Sequence, residues 1–309
     1  MISIRSRTKK QLVLHSMMLP GTILLLVFNV LPMVGIWMAF SKYQPKAGMG
    51  CFEALFSADY VGFAFFDQIF SRPDFRQVLF NTVYISVVKL VLLIGLGIVL
   101  SLLLNEIPFL HLKKGIQVVV FVPYFLSWVI LSSIIIDLLS VSGPINRVIE
   151  ALGGEAISFL GSNTWFPVVL FVSELWKSLG YEAIYFLAAI TAVAPGLYEA
   201  AEIDGANRVQ QCFHVTLPCI RPIIILMVVL NIGNIMNAGF EQVLALYNSL
   251  VYQSGDIIDT MAYRIGLVSA STFQYSLGTA VGLFKSVICC VLFGASYLFA
   301  AKKLDYEVL

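Results

Sequence analysis

The stretch Pro195-Gly196-Leu197-Tyr198-Glu199-Ala200-Ala201-Glu202-Ile203-Asp204-Gly205-Ala206-Asn207-Arg208, followed by Phe213, Leu217, Pro218 and Pro222, decides how this chain is read. Pro195-Gly196 ends one helix. Leu197 to Asp204 has the makings of a short helix with acids in its first turns, which suits the positive end of a helix dipole. Gly205 permits a backbone conformation that residues with a Cβ rarely adopt. A second short helix is predicted to Val215, with Pro218 and Pro222 stopping and restarting the chain. The object is a rigid helix–turn–helix joined directly to long apolar runs on both sides, a shape that can transmit a push.

Those runs are six: roughly Leu12–Phe40, Phe80–Leu104, Gly115–Leu139, Trp165–Thr191, Pro222–Phe240 and Leu277–Ala300. Each is long enough to span a bilayer as a helix, which takes about 20 apolar residues, and none alternates as a barrel strand does. Composition agrees. Of 309 residues, 59% are hydrophobic and 12% charged, against about 25% charged in a soluble domain. That little charge cannot cover a globular surface, which excludes a soluble enzyme, a secreted disulfide scaffold and a disordered chain. The net charge of +1 gives no reason to expect a polyanionic partner, and no nucleic acid is expected. Cys51, Cys212, Cys219, Cys289 and Cys290 form neither a zinc-site pattern nor a disulfide framework.

Arg5, Arg7, Lys9 and Lys10 before the first run resemble the start of a signal peptide. The run is too long for one and lacks a small-residue cleavage site, so it reads as a retained helix kinked at Pro20 and Pro32. Lys and Arg set the orientation. With the N-terminus inside, the inner segments hold Arg5, Arg7, Lys9, Lys10, Lys113, Lys114, Arg208, Arg221, Lys302 and Lys303. The outer loops hold only Lys42, Lys46, Arg72, Arg76, Arg147 and Arg264. Both termini are therefore expected in the cytoplasm. The long outer loop at 41–79, with Gly48, Gly50 and Pro73 beside Phe63, Phe65 and Phe66, is expected to carry short surface helices. Asn146 to Asn163 forms a second outer segment with a turn at Gly153-Gly154.

Glu199-Ala200-Ala201, Asp204-Gly205-Ala206 and Leu217-Pro218 resemble the EAA loop of ABC importer permeases, the membrane subunits of binding-protein-dependent uptake systems. The resemblance implies an all-α membrane protein of the MetI-like permease fold, a single permease domain over 1–309 with six spans. It implies that Glu199, Ala200, Ala201, Asp204, Gly205, Ala206, Leu217 and Pro218 couple the chain to an ATPase subunit. It further implies a second permease subunit, two ATPase subunits that hold ATP-Mg, an extracytoplasmic sugar-binding protein and a bacterial cytoplasmic membrane, with no cofactor in this chain. Leu19-Pro20, Asn29-Val30-Leu31-Pro32, Phe40-Ser41-Lys42-Tyr43 and Phe80-Asn81-Thr82 resemble carbohydrate-uptake permeases of the maltose type. Phe240-Glu241-Gln242-Val243, Leu246-Tyr247-Asn248, Asp256-Ile257-Ile258-Asp259-Thr260 and Tyr263-Arg264-Ile265-Gly266-Leu267 resemble their complex-oligosaccharide branch, which often has Pro where Ser249 stands here.

Ionised groups in mid-bilayer cost roughly 2.5–3.5 kcal/mol on insertion scales, so they normally face protein or a water-filled path. On the fourth run Glu174, Ser178, Tyr181 and Tyr185 share one face, and Lys177 at i+3 can neutralise Glu174. On the fifth, Asn231, Asn234 and Asn237 make a stripe that Glu241 extends outward. Amides and carboxylates bind sugar hydroxyls and aromatic faces pack on C–H surfaces, so Glu174, Lys177, Tyr181, Asn231, Asn234, Asn237 and Glu241 are the candidate substrate path. The alternative is hydrogen bonding between packed helices. Tyr124 and Trp128 fit an interface belt or plain packing. Lys89 and Lys285 are expected to snorkel outward or to pair with acids of a neighbouring subunit. Gly278 and Gly282 have the spacing of a close helix contact, and Gly95 and Gly97 are a second candidate for one, both signals being weak because Gly is common in membrane helices. GxxxxGK[ST] and HExxH are absent, and His15, His111 and His214 are scattered near cytoplasmic ends. An enzyme reading therefore has no residues to stand on. The competing transport readings are an ion-coupled carrier using Glu174, and an ABC permease for a non-sugar solute; the first leaves the EAA-like loop unexplained.

Overall fold

The structure, a computed structural model, describes residues 4–45, 48–268 and 274–303, and among these it is helical apart from turns and one isolated bridge, Ser41 with Tyr60. Of the charges that set the orientation, Lys46 lies outside the described residues, as do the side chains of Arg5, Arg7, Lys9, Lys10 and Lys303. Five helical stretches are long and apolar enough to cross a membrane, at Leu14–Phe40, Phe75–Asn105, Trp128–Ala151, Arg208–Gly233 and Tyr275–Phe299. A sixth arises if Trp165–Thr191 and Pro195–Ile203, bent by 70°, are counted as one. The chain divides into two compact units, Met1–Ser71 with Ala262–Leu283, and Arg72–Met261 with Phe284–Leu309.

In the first unit, α1 (Ile4–Leu25) passes into a π turn at Leu26–Val30 and a 3-10 stretch at Leu31–Phe40. Regular α geometry gives way just ahead of Pro32, whose missing N–H cannot complete the ladder, whereas Pro20 stays inside α1. The loop at 41–79 folds back on the end of this helix. Lys42 N–H donates to the Asp59 carbonyl and Val61 N–H to that of Phe40, each at 2.8 Å. The short helices expected there are α2 (Cys51–Phe56) and α3 (Ala64–Phe70). Phe40, Phe63 and Phe66 pack ring to ring at 5.5–5.6 Å. A Cβ on Gly278 would lie 3.0 Å from the Gly266 Cα, so Gly278 permits a close backbone contact, while a Cβ on Gly282 would have none of the described residues within 4 Å.

The second unit is built on α4 (Phe75–Asn105) and α8 (Trp165–Thr191), with α5 (Leu110–Phe121), α6 (Trp128–Leu139) and α7 (Pro144–Ala151) between them in sequence. The run expected as one helix over 115–139 is interrupted. After α5 comes a 3-10 turn at Val122–Phe125 containing Pro123, then extended backbone at Leu126 and Ser127, where Ser127 caps α6. Gly180 of α8 faces this region: a Cβ there would collide with the Val120 carbonyl oxygen, so only glycine allows α8 to come this close to α5. Gly97 is likewise tight, with the Glu182 Cβ 3.3 Å from a Cβ placed on it, whereas Gly95 is open.

This unit holds a core that includes Ile85, Leu131, Ile135, Phe166, Leu170, Val243, Leu246 and Ile257. Polar ties fix the loops around it. Buried Asn146 donates to the Ser140 and Ile157 carbonyls and accepts from Ile157 N–H, closing the 140–157 segment whose turn is at Gly153 (φ 84°). Asn81 donates to the carbonyls of Gln253 and Asp256, and the Thr82 hydroxyl accepts from Ile258 N–H. Asn81-Thr82 thus anchors α13 (Tyr252–Gly255) and the start of α14 (Ile258–Tyr263). Lys285, on the stretch of α15 (Tyr275–Lys303) that belongs to this unit, meets both oxygens of Asp259 at 2.7 Å, a partner inside the same chain rather than the solvent or neighbouring subunit expected.

Candidate functional site

The quoted loop folds as α9 (Pro195–Ile203), a turn, and α10 (Arg208–Gln211). Pro195 occupies the first turn, where a missing N–H costs nothing. Glu199 therefore falls in the second turn, not at the dipole end. Asp204-Gly205-Ala206 closes α9 with the paired bonds of a Schellman motif: Ala206 N–H to the Ala201 carbonyl at 2.9 Å and Gly205 N–H to that of Glu202 at 3.0 Å. Gly205 sits at φ 81°, the left-handed region that favours glycine. Asn207 then begins α10 with a capping box: its side chain accepts from Gln210 N–H at 2.9 Å and its own N–H donates to the Gln210 side chain at 2.8 Å. Buried Gln211 donates back to the Ala206 carbonyl, and Tyr198 and Thr216 hydroxyls meet at 3.0 Å. Asn207, Gln210, Gln211, Tyr198 and Thr216 were missed as the fasteners of this loop; Asn-x-x-Gln was the signal available.

Beyond Gln211 the chain does not stop, contrary to the expectation from Pro218 and Pro222. A π turn at Cys212–Thr216 leads straight into α11 (Leu217–Gly233), which contains both prolines. Leu217 N–H reaches back to Cys212, so the ladder widens just before the proline that has no N–H to give. The loop's apolar side chains face outward: Leu197, Val209 and Phe213 are exposed, and Ile203 is 86% exposed. The Glu202–Arg208 pair at 3.9 Å is open to solvent and contributes little.

At its other end α11 breaks. Gly233 is its last residue; turns follow through Asn237; Gly239, at φ 89°, starts α12 (Phe240–Leu246). The stripe expected to continue to Phe240 as one helix is thus a helix end followed by an irregular segment. A cavity of about 230 Å³ opens there, lined by Ser86, Lys89, Leu90 and Leu93 of α4, Trp128 of α6, Glu174 of α8, and Asn231, Asn234, Ile235, Asn237 and Gly239. Four of the expected path residues, Glu174, Asn231, Asn234 and Asn237, meet in this one cavity. Lys177, Tyr181 and Glu241 do not line it.

The charges pair differently from the expectation. Lys177 donates to the carbonyls of Tyr124 (2.9 Å) and Leu126 instead of neutralising Glu174. The turn at 122–127 leaves those carbonyls without helical partners, and they capture the ammonium. Glu174 is met by Lys89, 3.4 Å away, and by the Ser178 hydroxyl at 2.7 Å. Lys89 also donates to the Ala238 carbonyl at 2.8 Å and to Gln242, so it is buried and paired within the chain rather than snorkelling. Fully buried Gln242 donates in turn to the Leu170 carbonyl and the Ser173 hydroxyl. Tyr181 stacks on Tyr124 at 4.1 Å and accepts from the Tyr185 hydroxyl. Glu241 is exposed in the first turn of α12.

Comparison with known proteins places these features in a family. Residues 93–305 match the model of the binding-protein-dependent transport system inner membrane component. Protein LplB of Bacillus subtilis (strain 168) is 40% identical over 310 residues, covering 100% of this chain and 94% of that protein. The polygalacturonan/rhamnogalacturonan transport system permease protein YteP of the same organism is 39% identical, covering 92% of this chain and 86% of its own. A bacterial alginate ABC transporter, solved in complex with an alginate pentasaccharide-bound periplasmic protein, contains a chain with a TM-score of 0.87 and 32% identity, covering 99% of both chains. The protein belongs to the binding-protein-dependent transport system inner membrane component family and is a multi-pass inner-membrane permease of an ABC importer.

Proposed function

We propose that this chain is one of two permease subunits in an importer of complex oligosaccharides, crossing the membrane six times with both termini in the cytoplasm. ATP-Mg is held by two separate ATPase subunits, and a sugar-loaded binding protein docks outside. The reading is supported by likeness along the whole chain to permeases named for polygalacturonan/rhamnogalacturonan and alginate transport.

One observation carries the mechanism: the loop is built as a stiff object with unpartnered apolar side chains, and it continues without a break into the helix that ends at the polar cavity. Leu197, Ile203, Val209 and Phe213 are the knobs that enter the ATPase. Glu199, Ala200, Ala201, Asp204, Gly205, Ala206, Leu217 and Pro218 give the loop its fold and its footing on the ATPase. ATP-driven closure pushes the loop, and α11 carries the push to Asn231 and Asn234. The sugar passes Glu174, Asn231, Asn234 and Asn237, with Lys177 and Tyr181 about one and two turns further along α8 and Glu241 on the outer side.

Purification of the tagged chain from its native membrane, followed by reconstitution, tests this. The expected result is co-purification of a second permease and an ATPase, and sugar uptake that needs ATP and the binding protein. Uptake that persists without ATP, driven by an ion gradient, overturns it.

A further inference from the structure

We propose that the cavity at the broken end of α11 is a subsite for one uncharged, hydroxyl-bearing ring of the sugar chain, and that it disfavours uronate rings; this rests on the oligosaccharide-import reading above. The lining contains one cation and one anion, and they are paired: Lys89 is shared among Glu174, the Ala238 carbonyl and Gln242, so its three protons all have acceptors. Lys177, the other ammonium nearby, is taken up by the carbonyls of Tyr124 and Leu126 and is not in the lining. No cation in the lining is left to greet a carboxylate.

What the cavity does offer is uncharged hydrogen-bonding capacity. Ser86 is 7% exposed, lines the cavity, and its hydroxyl has no partner among the described residues. A buried hydroxyl in that state carries a standing cost that a ligand can relieve. Asn231 and Asn234, both in the lining, each commit one amide proton to the Met227 and Leu230 carbonyls, which leaves a second amide proton and a side-chain oxygen on each. The C-terminal end of α11 adds the negative end of a helix dipole. A sugar hydroxyl both donates and accepts, whereas a carboxylate only accepts. Trp128 supplies an aromatic wall. At about 230 Å³ the cavity is smaller than the roughly 300–1,000 Å³ of pockets for drug-sized ligands, so it takes one ring at a time. The alginate importer that the chain resembles handles an acidic polysaccharide and YteP is named for polygalacturonan, likewise a polymer of uronates, and the inference separates this chain from both.

The test uses the assembled permease–ATPase complex in nanodiscs, without the binding protein, so that the selectivity of the latter does not intervene. The probes are galactotetraose and tetragalacturonate, alike in length and different in charge. Galactotetraose is expected to bind at least about tenfold more tightly. Ser86→Ala is expected to weaken its binding about fivefold while leaving the melting temperature of the complex unchanged or higher, because only an unpartnered hydroxyl is lost. Equal or tighter binding of tetragalacturonate, binding of neither probe, or a Ser86→Ala variant that melts lower with its affinity unchanged overturns the proposal. Each of those outcomes is compatible with binding-protein-dependent sugar uptake; loss of sugar uptake of every kind in the intact system strikes the import reading instead.

Discussion

Lys89 and Glu174, 85 positions apart in sequence, face each other at 3.4 Å on α4 and α8, and the same ammonium holds the Ala238 carbonyl at 2.8 Å. One side chain therefore ties two long helices to the irregular segment between α11 and α12. The pair is largely withdrawn from solvent, with side-chain exposures of 8% and 16%.

Removing one member of such a pair strands the other. Lys89→Met is expected to destabilise the protein by about 3–5 kcal/mol, since it leaves Glu174 with only Ser178 and frees Ala238 and Gln242 as well. Glu174→Gln is expected to cost less, because Lys89 keeps two acceptors. Thermal unfolding of the purified chain in detergent reads both, and the reverse order would refute the arrangement.

Gly239 adds a second reading of the same knot. A Cβ there would lie 2.8 Å from Lys89 Nζ and 3.3 Å from Gln242 Oε1, on a backbone already at φ 89°. Gly239→Ala should cost at least about 1 kcal/mol more than Gly205→Ala, whose Cβ meets nothing within 4 Å. The excess should shrink in a Lys89→Met background, which a double-mutant cycle measures.

At Gly205 the cost is conformational alone. Gly205→Val is expected to strain the turn by about 1–2 kcal/mol and to uncouple uptake while the protein still reaches the membrane in normal amount. Gly205→Asn, which tolerates the left-handed region better, should retain most uptake. Blotting of membranes beside a sugar-uptake assay separates the two effects; normal uptake by the valine variant would remove the turn from the coupling scheme.

Asn146 tests the outer segment. Asn146→Ala removes three hydrogen bonds from a fully buried site and leaves Ile157 N–H unmet, an expected loss of about 3 kcal/mol. Protease nicking near Gly153-Gly154 should rise in the variant, and unchanged resistance would contradict the role given to Asn146.

The turn at Asp204-Gly205 was readable because its information is local, acting within a few residues of itself; Pro195, read as the end of the preceding helix, opens α9 instead, and Asn-x-x-Gln at the restart, equally local, was missed. The i, i+4 pair of Ser178 with Glu174 was legible for the same reason. The neutralisation of Glu174 by Lys177 was not, because the competing acceptors lie more than 50 positions upstream and exist only where Pro123 spoils the helix. Lys89 as the true partner depends on the packing of α4 on α8, which no spacing encodes. The asparagine stripe read as one helix face because 231, 234 and 237 fit the period; the break between Gly233 and Gly239 follows from polar side chains and glycine competing with the helix ladder, a balance settled by Lys89 and Gln242 from outside the segment.

The uninterrupted helix from Arg208 to Gly233 has a mechanical corollary. Its 26 residues make a rod about 39 Å long, held at one end by the capping box and leading at the other into the segment that Lys89 ties down through the Ala238 carbonyl. Such a rod moves as one piece. One residue's worth of twist, about 100°, would swing Asn231 and Asn234 together off the cavity wall and bring a different, apolar sector round. The two asparagines are in this sense a single cam rather than independent contacts, and the angle at which the Asn207 end is held would set which sector faces the cavity.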